Sequence, residues 1–331
     1  MPTPVRRSVF VLSVTFALVL AGTAVAGNGG LAPPAPASPN AANIRDVYWL
    51  ILAVSVAIFV LVVGALFVFV VRYRSRGRPR ELEGPQIRGH TNLELAWTAA
   101  PVVILAIIAG FVFWKVSDIN ATSGPSDQAE TQNTTTIDAH QFYWEFVYPN
   151  GAVSVDHLRL PYNRTTRLKI ISADVNHSWW VPSLAGKLDA IPGKTNYTDW
   201  RPTKLGTFLG QCAELCGIEH ANMLAKAEVL PPDEYDDWVR NRLSDEAALG
   251  KETFVGVCAK CHGLAAQGGI GPNIASNPLL NDPKALAGVI RNGTGKMPAV
   301  GKDWKPPQMA ATIAYLRQRF GQGGGSGGGQ G

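Results

Sequence analysis

The four cysteines of this 331-residue chain lie in two close pairs, and each pair has a histidine nearby. The pairs are Cys212 with Cys216 and Cys258 with Cys261. In an exported protein, disulfide bonds are the default use of cysteine pairs. The neighbouring histidines favour a second interpretation, in which the thiols bind metals or a prosthetic group.

The second pair belongs to a segment that reads C-A-K-C-H from Cys258 to His262, the C-x-x-C-H spacing of a c-type haem attachment site. Two thiols one helical turn apart can form thioethers with the haem vinyl groups, and the adjacent His262 can bind the iron. A redox-active dithiol is the alternative, but it favours a βαβ context that the surrounding sequence does not predict. We therefore expect a covalent haem bound through Cys258, Cys261 and His262.

A sixth ligand for the haem iron is expected downstream of this motif. Met297 lies in a segment rich in glycine and proline, from which its thioether could reach the iron. Met309 lies in an amphipathic stretch near the C-terminus and is predicted to pack in the core instead. Ligation by histidine and methionine leaves no open coordination position, which suits electron transfer better than gas binding.

The first pair belongs to a segment that reads C-A-E-L-C-G-I-E-H-A-N-M from Cys212 to Met223. Soft thiolates, an imidazole and a thioether within twelve residues favour copper over hard cations. A further histidine must come from a distant segment, and His177 is the candidate. Two cysteines can bridge two coppers that share one electron. A zinc site of two cysteines and two histidines is the alternative, although it leaves Met223 without a role.

Two long apolar segments indicate a membrane anchor. Residues 47–71 and 95–114 contain no charged side chain, and at about 1.5 Å per residue each can cross a hydrocarbon core of about 30 Å. Pro101 lies near the start of the second segment, where a helix tolerates it. The loop between the segments carries six arginines, which predicts that it is cytoplasmic and that the rest of the chain is outside. The net charge of +5 therefore reflects topology rather than a nucleic-acid partner.

The N-terminal residues resemble an export signal. Residues 1–26 contain an arginine pair, a short apolar run and an A-V-A close, so we expect cleavage after Ala26. A third membrane helix is the alternative, but the run of about 13 apolar residues is too short to span a bilayer. The arginine pair leaves the general and the twin-arginine export routes open. Residues 27–43, rich in glycine, proline and alanine, are predicted to form a flexible leader.

The remaining sequence predicts two extracytoplasmic domains behind a helical hairpin at 44–117. The first domain is expected at 118–230. It begins with a polar spacer at 118–136, and short runs that alternate apolar and polar residues from Thr135 to Leu230 predict an all-β sandwich or barrel. A short acidic helix at 231–243 is the expected connector. Residues 244–320 form a second unit with helical stretches at both ends, and the glycine-rich residues 321–331 are predicted to be disordered. The chain is thus expected to be a multidomain membrane protein.

The C-x-E-x-C-G-x-x-H-x-x-M motif that begins at Cys212 is complete, and with it the chain resembles subunit 2 of cytochrome c oxidase over about residues 44–230. With the haem motif included, the whole chain resembles subunit 2 of caa-type oxidases, which carry a fused C-terminal cytochrome c domain. The resemblance implies a cupredoxin-like fold for the β domain. It implies an all-α, class I cytochrome c fold for residues 244–320.

The resemblance also implies specific metal ligands. A binuclear copper centre, CuA, would be bound by five side chains and one backbone carbonyl, those of His177, Cys212, Cys216, His220 and Met223 with the carbonyl of Glu214. The side chain of Glu214 would reach a magnesium or manganese ion at the contact with subunit 1. Glu94, at the start of the second span, matches a glutamate at the mouth of the proton path into subunit 1. An ordinary charge at the membrane boundary is the alternative for Glu94.

One departure from the family pattern concerns the aromatic segment Phe142-Tyr143-Trp144, which follows Gln141. The family usually has tryptophan at the first aromatic position, where electrons arrive from cytochrome c. Phenylalanine keeps a ring there but lacks the indole N–H and some π surface. The substitution puts this route for a free cytochrome c in question. The other histidines, namely His90, His140 and His157, are not expected to bind metal.

The distribution of charge favours an internal electron donor. Residues 118–243 carry 11 basic and 16 acidic side chains, a net charge of −5. Residues 244–320 carry 9 basic and 5 acidic side chains, a net charge of +4. Opposite charges favour docking of the two domains, and a short connector gives an effective concentration in about the millimolar range.

The predicted function is that of subunit 2 of a proton-pumping cytochrome c oxidase in a bacterial cell membrane. Electrons would arrive at haem c, pass to CuA and continue to subunit 1, where dioxygen is reduced to water. The expected partners are subunits 1, 3 and 4, the lipid bilayer, and a donor that is a quinol–cytochrome c reductase or a small cytochrome c. The alternatives are a nitric oxide reductase subunit, a membrane-anchored electron shuttle and a metal-carrying assembly protein. Glu94 at the family position favours the oxidase.

Overall fold

The computed structural model describes residues 32–74, 86, 88–120 and 134–321. The predicted export signal, most of the arginine-rich loop and the glycine-rich tail after Gly321 lie outside the described residues. The described chain forms two units. Residues 42–121 make one unit, and the segments before and after them make the other.

The smaller unit consists of two long apolar helices, α1 (Pro39–Arg72) and α2 (Thr91–Asn120). Each exceeds the roughly 20 residues that span a bilayer, and the most apolar window of each has no buried residue. Helices that are apolar on all faces are typical of membrane spans. Lys115 donates to Asp46 and to Asn43 at 3.1 Å each, so these contacts join the start of α1 to the end of α2.

Helix α2 differs in one respect from expectation. It begins at Thr91, before the predicted span, so Pro101 lies in the interior of the helix rather than near its start. Membrane helices tolerate interior proline because neighbouring groups satisfy the freed carbonyl.

The β domain is a sandwich of two five-stranded sheets, which confirms the predicted fold class. One sheet has the strand order β3-β2-β1-β5-β8 and the other β4-β10-β9-β6-β7. The strands are β1 (Thr134–His140), β2 (Tyr143–Val147), β3 (Val153–Val155), β4 (His157–Pro161), β5 (Thr166–Ser172), β6 (His177–Trp180), β7 (Leu188–Ala190), β8 (Asn196–Trp200), β9 (Gly206–Cys212) and β10 (Leu224–Leu230).

The core of the sandwich lies between the two sheets. Trp144 and Phe146 from β2 meet Trp179 from β6, and all three side chains are fully buried. The Trp144 and Trp179 rings make an edge-to-face contact with 4.9 Å between centroids. Alternating burial along β1, β5 and β10 follows the period of two that places every second side chain inside.

Part of the predicted flexible leader is folded, and the prediction is wrong for residues 37–43. Residues 37–41 belong to the unit that contains the β domain, and residues 39–43 lie in helix α1. Ala37 is fully buried. Its N–H donates to the Ser183 carbonyl and its carbonyl accepts the Thr203 N–H, both at 2.7 Å. Helix α1 then starts at Pro39. Small side chains allow this close approach, and paired backbone groups fix it as they do in a sheet.

The C-terminal domain is helical, as predicted. The connector forms α3 (Pro232–Arg242), and the domain contains α4 (Glu246–Thr253), a π-helical turn (Phe254–Cys258), α5 (Ala259–His262), a 3₁₀ turn (Pro278–Asn281), α6 (Pro283–Asn292) and α7 (Pro306–Phe320). Asp245 and Asp282 accept backbone N–H groups at the starts of α4 and α6, as capping residues do. Gly250 lets α4 approach α7, since a Cβ there would collide with the Ala311 carbonyl.

Candidate metal centres

The six predicted copper ligands come from two strands of one sheet and from the loop that joins β9 to β10. His177 begins β6, Cys212 ends β9, and Met223 precedes β10. Trp179 pairs with Cys212 in the ladder between β6 and β9, which places His177 beside Cys212. The Cys212 N–H donates to the Met223 carbonyl at 3.0 Å, so the loop from 213 to 222 closes on itself.

Cys212 is the centre of one half of the candidate site. Its Sγ lies 3.8 Å from His177 Nδ1, 3.2 Å from the Glu214 carbonyl oxygen and 3.9 Å from Cys216 Sγ. The two sulfurs are too far apart for the disulfide bond of about 2.05 Å, and both cysteines are free. The ligand atoms of His177, Cys212 and Cys216 all lie within 4.8 Å of one another.

Cys216 is the centre of the other half. Its Sγ lies 3.6 Å from His220 Nδ1 and 3.8 Å from Met223 Sδ. Each sulfur therefore has one histidine and one further donor beside it. Cys216 is buried and Met223 is fully buried, so the thioether points into the cluster. A set of two thiols, two imidazoles and a thioether fits copper and leaves no donor unused, whereas a four-ligand zinc site does not use Met223.

A carboxylate orients the buried histidine of the site. His177 Nε2 bonds to Asp174 Oδ1 at 2.8 Å, which turns Nδ1 toward Cys212. Asp174 is itself held by the Gln141 and Val175 N–H groups, both at 2.6 Å. Such outer partners fix the ring orientation of metal-binding histidines. The sequence contains the signal for this residue, an aspartate three positions before His177, but that spacing alone does not distinguish it from other acids.

The two thiols differ in their affinity for protons. Burial raises the pKa of Cys212, but hydrogen bonds with His177 and with backbone groups outweigh it and bring the pKa to about 6. Burial, together with the charge on Cys212, raises the pKa of Cys216 to about 12. A metal held by both sulfurs would need both as thiolates, so its binding would release the Cys216 proton.

The aromatic segment lies between the copper cluster and the C-terminal domain. The Trp144 ring faces inward and lies 6.0 Å from the His177 ring. Tyr143 faces the other way, donating to the Val300 carbonyl at 3.0 Å and accepting from Trp304 Nε1 at 3.1 Å. Alternation along β2 thus directs one ring toward the copper cluster and the next toward the C-terminal domain.

The haem motif begins at Cys258, the last residue of the π-helical turn, and continues through the short helix α5. His262 is buried, and its Nδ1 bonds to the Pro272 carbonyl at 2.7 Å. This bond fixes the tautomer in which Nε2 is available to iron. Gly271 packs against the ring so closely that a Cβ would lie 2.8 Å from it. Leu264 and Ile270, which flank the motif, are 71% and 63% exposed, an apolar surface suited to a porphyrin.

Met297 lies on a separate turn. Its backbone pairs with Thr294 in both directions, at 2.8 and 3.1 Å, and its side chain is half-buried. Met309 is buried in α7, consistent with its expected core role.

The two glutamates singled out by the sequence are exposed. The Glu214 carboxylate lies 3.6 Å from Lys187 Nζ, while its carbonyl faces Cys212. Glu94 Oε1 accepts the His90 N–H at 3.1 Å in the first turn of α2. His140 is buried and stacks on Tyr143 at 4.6 Å, and His157 pairs with Glu228 at 3.0 Å. Neither of these histidines joins the cluster of copper ligands.

Three known families match successive parts of the chain. They are described as cytochrome c oxidase subunit II, transmembrane domain, at residues 26–114, cytochrome c oxidase subunit II, periplasmic domain, at residues 152–229, and cytochrome c oxidase, cbb3-type, subunit III, at residues 245–316. The order of the matches is the order of hairpin, β domain and C-terminal domain predicted from the sequence.

Curated relatives match most of the chain. Cytochrome c oxidase subunit 2 of Alkalihalophilus pseudofirmus is 31% identical over 329 residues, which cover 91% of this chain and 94% of the relative. The protein of the same name from Bacillus sp. is 31% identical over 70% of this chain and 72% of its own length. The crystal structure of the periplasmic domain of subunit II of cytochrome oxidase from Bradyrhizobium japonicum is 30% identical, covering 34% of this chain and 94% of that chain, with a TM-score of 0.33.

Proposed function

Since this chain belongs to the cytochrome c oxidase subunit 2 family, we propose that it accepts single electrons at its cytochrome domain, passes them to a copper pair in its β domain and delivers them to subunit 1. The chain is a subunit of a haem–copper oxidase, is anchored by two membrane helices and has its β domain outside the cytoplasm. The observation that carries the proposal is that the two candidate centres lie in domains that pack directly on each other.

An apolar contact joins the two domains. Tyr143 and Val155 of the β domain are buried in the same cluster as Phe254, Val257 and Trp304 of the cytochrome domain. The Tyr143 hydroxyl has both a donor and an acceptor across the boundary, as described above. A buried tyrosine hydroxyl that both donates and accepts a hydrogen bond across the boundary fixes one relative position of the two surfaces.

Charged contacts surround this apolar patch. Arg159 pairs with Glu252 at 3.3 Å, and the buried Arg242 pairs with the same carboxylate while donating to the Val153 carbonyl at 2.8 Å. Gln308 donates to Glu145 at 2.9 Å. In the Arg159 pair the positive charge belongs to the β domain, opposite to the direction that the net charges of −5 and +4 suggest. Individual pairs therefore determine the fit, and net charge contributes attraction at longer range.

The connector is a folded element rather than a loose tether. Trp238 of α3 packs against Tyr148 with 4.8 Å between ring centroids and lies under the Arg159 guanidinium at 4.4 Å. Arg164 pairs with Asp236 at 3.0 Å. These contacts hold α3 on the β domain, so the cytochrome domain starts from a fixed point. Electron transfer within one chain is then supported mainly by the fixed orientation of the cytochrome domain. The effective concentration that a tether provides matters less.

The proposed copper ligands are His177, Cys212, Cys216, His220, Met223 and the Glu214 carbonyl. A copper pair bound there would supply one-electron exchange with little rearrangement, because two metals share the change in charge. The residues of the chain orient the ligands and shield the cluster. Asp174 orients His177, the paired strands hold both cysteines, and Trp144 and Trp179 keep water from one side of the cluster.

The residues proposed to hold a haem are Cys258 and Cys261, whose thiols would bind it covalently, and His262 and Met297, which would bind its iron. A haem c bound there would supply a one-electron iron couple, and the Pro272 carbonyl would strengthen the donor character of His262. Met297 lies on a separate short turn and would supply a thioether to the iron. A haem held by both His262 and Met297 would have no free position for dioxygen, so oxygen chemistry belongs to subunit 1.

The remaining roles concern the partners. We place a magnesium or manganese ion at the Glu214 carboxylate in the contact with subunit 1, and the mouth of the proton path at Glu94. Leu215 and Ile218 of the copper loop are 79% and 84% exposed, which suits burial against subunit 1. Subunits 3 and 4 complete the complex, and a quinol–cytochrome c reductase or a small cytochrome c supplies the electrons.

Oxygen uptake by the purified complex tests this function. Serine at both Cys258 and Cys261 should abolish covalent haem and lower uptake driven by a reduced small cytochrome c to a few per cent, while the copper signal stays. If the haem-free complex consumes oxygen at the normal rate, electrons do not enter through this domain. Consumption of nitric oxide rather than dioxygen would favour the reductase alternative.

A further inference from the structure

The middle of the haem motif reaches across the domain boundary. Lys260 lies between the two haem cysteines, and its Nζ donates to Asp156 Oδ2 at 2.6 Å and to the Phe142 carbonyl at 2.7 Å. The Lys260 and Asp156 side chains are only 15% and 18% exposed. These bonds therefore join the segment that carries the haem directly to the aromatic segment beside the copper cluster.

Asp156 connects Lys260 with Trp144, whose ring lies next to the proposed copper ligand His177. Its Oδ1 accepts the Trp144 N–H, and its own N–H donates to the Trp144 carbonyl, both at 2.8 Å. The Trp144 ring in turn lies 6.0 Å from the ring of His177. Two hydrogen bonds and one ring contact thus connect the haem motif with His177.

Phe142 leads from Lys260 to the copper loop. Gln141, the preceding residue, donates through Nε2 to the Cys216 carbonyl at 2.6 Å. The Phe142 ring packs against Gly217, where a Cβ would lie 2.8 Å from it and where φ is +138°. Because Gly217 has no side chain, the ring sits directly on the loop that holds Cys216. The Phe142 segment is therefore fixed on one side by the copper loop and on the other by Lys260.

We propose that Lys260 is a positioning residue for electron transfer from haem to copper, because its two bonds hold the haem motif against Asp156 and Phe142. The inference rests on the proposed function and deepens it. The step moves one electron, which oxidises the ferrous iron by one and reduces the copper pair by one, and no bond or proton is exchanged. Contiguous packed and hydrogen-bonded groups are the physical means by which two such sites are coupled.

The loss of these bonds should lower the fraction of molecules in the docked state. Hydrogen bonds to charged groups are the stronger class, and removal of Lys260 leaves the mostly buried Asp156 without its cation. Together these losses lower the equilibrium constant for docking by at least about tenfold, and the rate of transfer falls as undocked molecules accumulate.

Flash reduction of haem c in the purified oxidase tests the proposal, with copper reduction followed by absorbance. Lys260→Met should slow haem-to-copper transfer about tenfold or more, and Lys260→Arg should restore part of the rate. Lys284→Met is the matched control. It removes the same charge from an exposed position on α6, away from the boundary, and should leave the rate within about twofold. Asp156→Asn weakens the same contact from the β domain, which carries no haem motif. This variant should slow haem-to-copper transfer by a similar factor.

A second readout separates positioning from damage to either centre. The absorption spectra and midpoint potentials of haem and copper should be unchanged in Lys260→Met, while amide exchange over 153–156 and at Trp144 becomes faster. The double variant with Asp156→Asn should be no slower than the slower single variant, because both remove the same contact.

The outcomes separate the inference from the function on which it rests. If Lys260→Met and Asp156→Asn both transfer within twofold of the unaltered protein, the positioning role is wrong and the function stands. If both variants slow transfer only because the midpoint potential of haem or copper has shifted, the positioning role is also wrong. If the unaltered protein itself shows no transfer from haem to copper, the proposed function fails and the inference fails with it.

Discussion

The copper cluster and the haem site are built in different ways. The proposed copper donors come from β6, β9 and the following loop, and strand register brings atoms 35 residues apart in sequence to within 3.8 Å. The first three proposed haem ligands lie within five consecutive residues, and the proposed fourth, Met297, lies on a separate turn. The sheet thus assembles one site by long-range contacts, while a local motif supplies most of the other.

This difference predicts which substitutions affect a site at a distance and which affect only their own neighbourhood. Asp174 orients His177 from the turn just before β6, and through His177 it can act on Cys212, which lies on a strand distant in sequence. In the haem domain, the helices must pack correctly, but the ligands after Cys258 keep their spacing on α5. The variants below test whether the two sites respond independently.

The largest effect is expected from Cys216→Ser. Cys216 lies between Cys212, His220 and Met223, and a hydroxyl is a poor copper bridge. The binuclear copper signal should disappear from the electron resonance spectrum, and copper content should fall from two per chain to one or none. Covalent haem should remain after acid–acetone extraction. Retention of an electron shared over two coppers would contradict the assignment of this ligand.

Asp174→Asn should weaken copper binding about 10- to 100-fold, since outer partners of metal-binding histidines contribute that much. Competition with a copper chelator gives the affinity. Asp233→Asn, on an exposed carboxylate in the first turn of α3, is the matched control and should leave the affinity unchanged. Equal affinity in both variants would show that the bond to His177 does not orient it for the metal.

Gly250→Ala should destabilise the cytochrome domain by about 1–3 kcal/mol through overpacking. The new Cβ would meet the Ala311 carbonyl where α4 crosses α7. Gly288→Ala in α6 is the control, because open space surrounds that position and alanine favours a helix by about 0.5–1 kcal/mol. Thermal unfolding followed at the haem band measures both. The copper absorbance should stay unchanged at low temperature, and its loss in Gly250→Ala would contradict independent sites.

The smallest effect is expected from Met223→Leu. A thioether is a weak ligand that tunes a copper site more than it holds it. Copper content should remain at two per chain while the midpoint potential of the copper pair shifts, as a redox titration would measure. Met309→Leu in the core of α7 serves as the control and should shift neither the copper nor the haem potential. Complete loss of copper in Met223→Leu would mean that the thioether is a principal ligand.

Local patterns in the sequence predicted much of this molecule. Uncharged runs predicted both membrane helices, and alternation predicted the β sandwich. The spacing of the copper loop and the haem motif placed most candidate ligands. Each of these signals depends on neighbours within about one element, which a sequence displays directly.

Long-range contacts were harder to predict. Nothing near Ala37 indicates that its backbone pairs with loops at 183 and 203, so the leader was expected to be flexible. The charge totals suggested that the domains dock but missed the contact of Lys260 with Asp156 and the reversed pair of Arg159 with Glu252. Pairings across about a hundred residues or more depend on the fold, and local propensity does not predict them.

The central claim is that electrons pass from haem to copper within one chain, across a fixed interface. Flash reduction of haem c in the purified oxidase, followed at the copper band over a hundredfold dilution, tests it most directly. The account predicts a first-order rate that is independent of protein concentration. It also predicts little change between 0.1 M and 1 M salt, although the Debye length falls from about 10 Å to about 3 Å, because the contact is largely buried. A rate that rises in proportion to protein concentration would show that the electrons come from another molecule and would contradict the account.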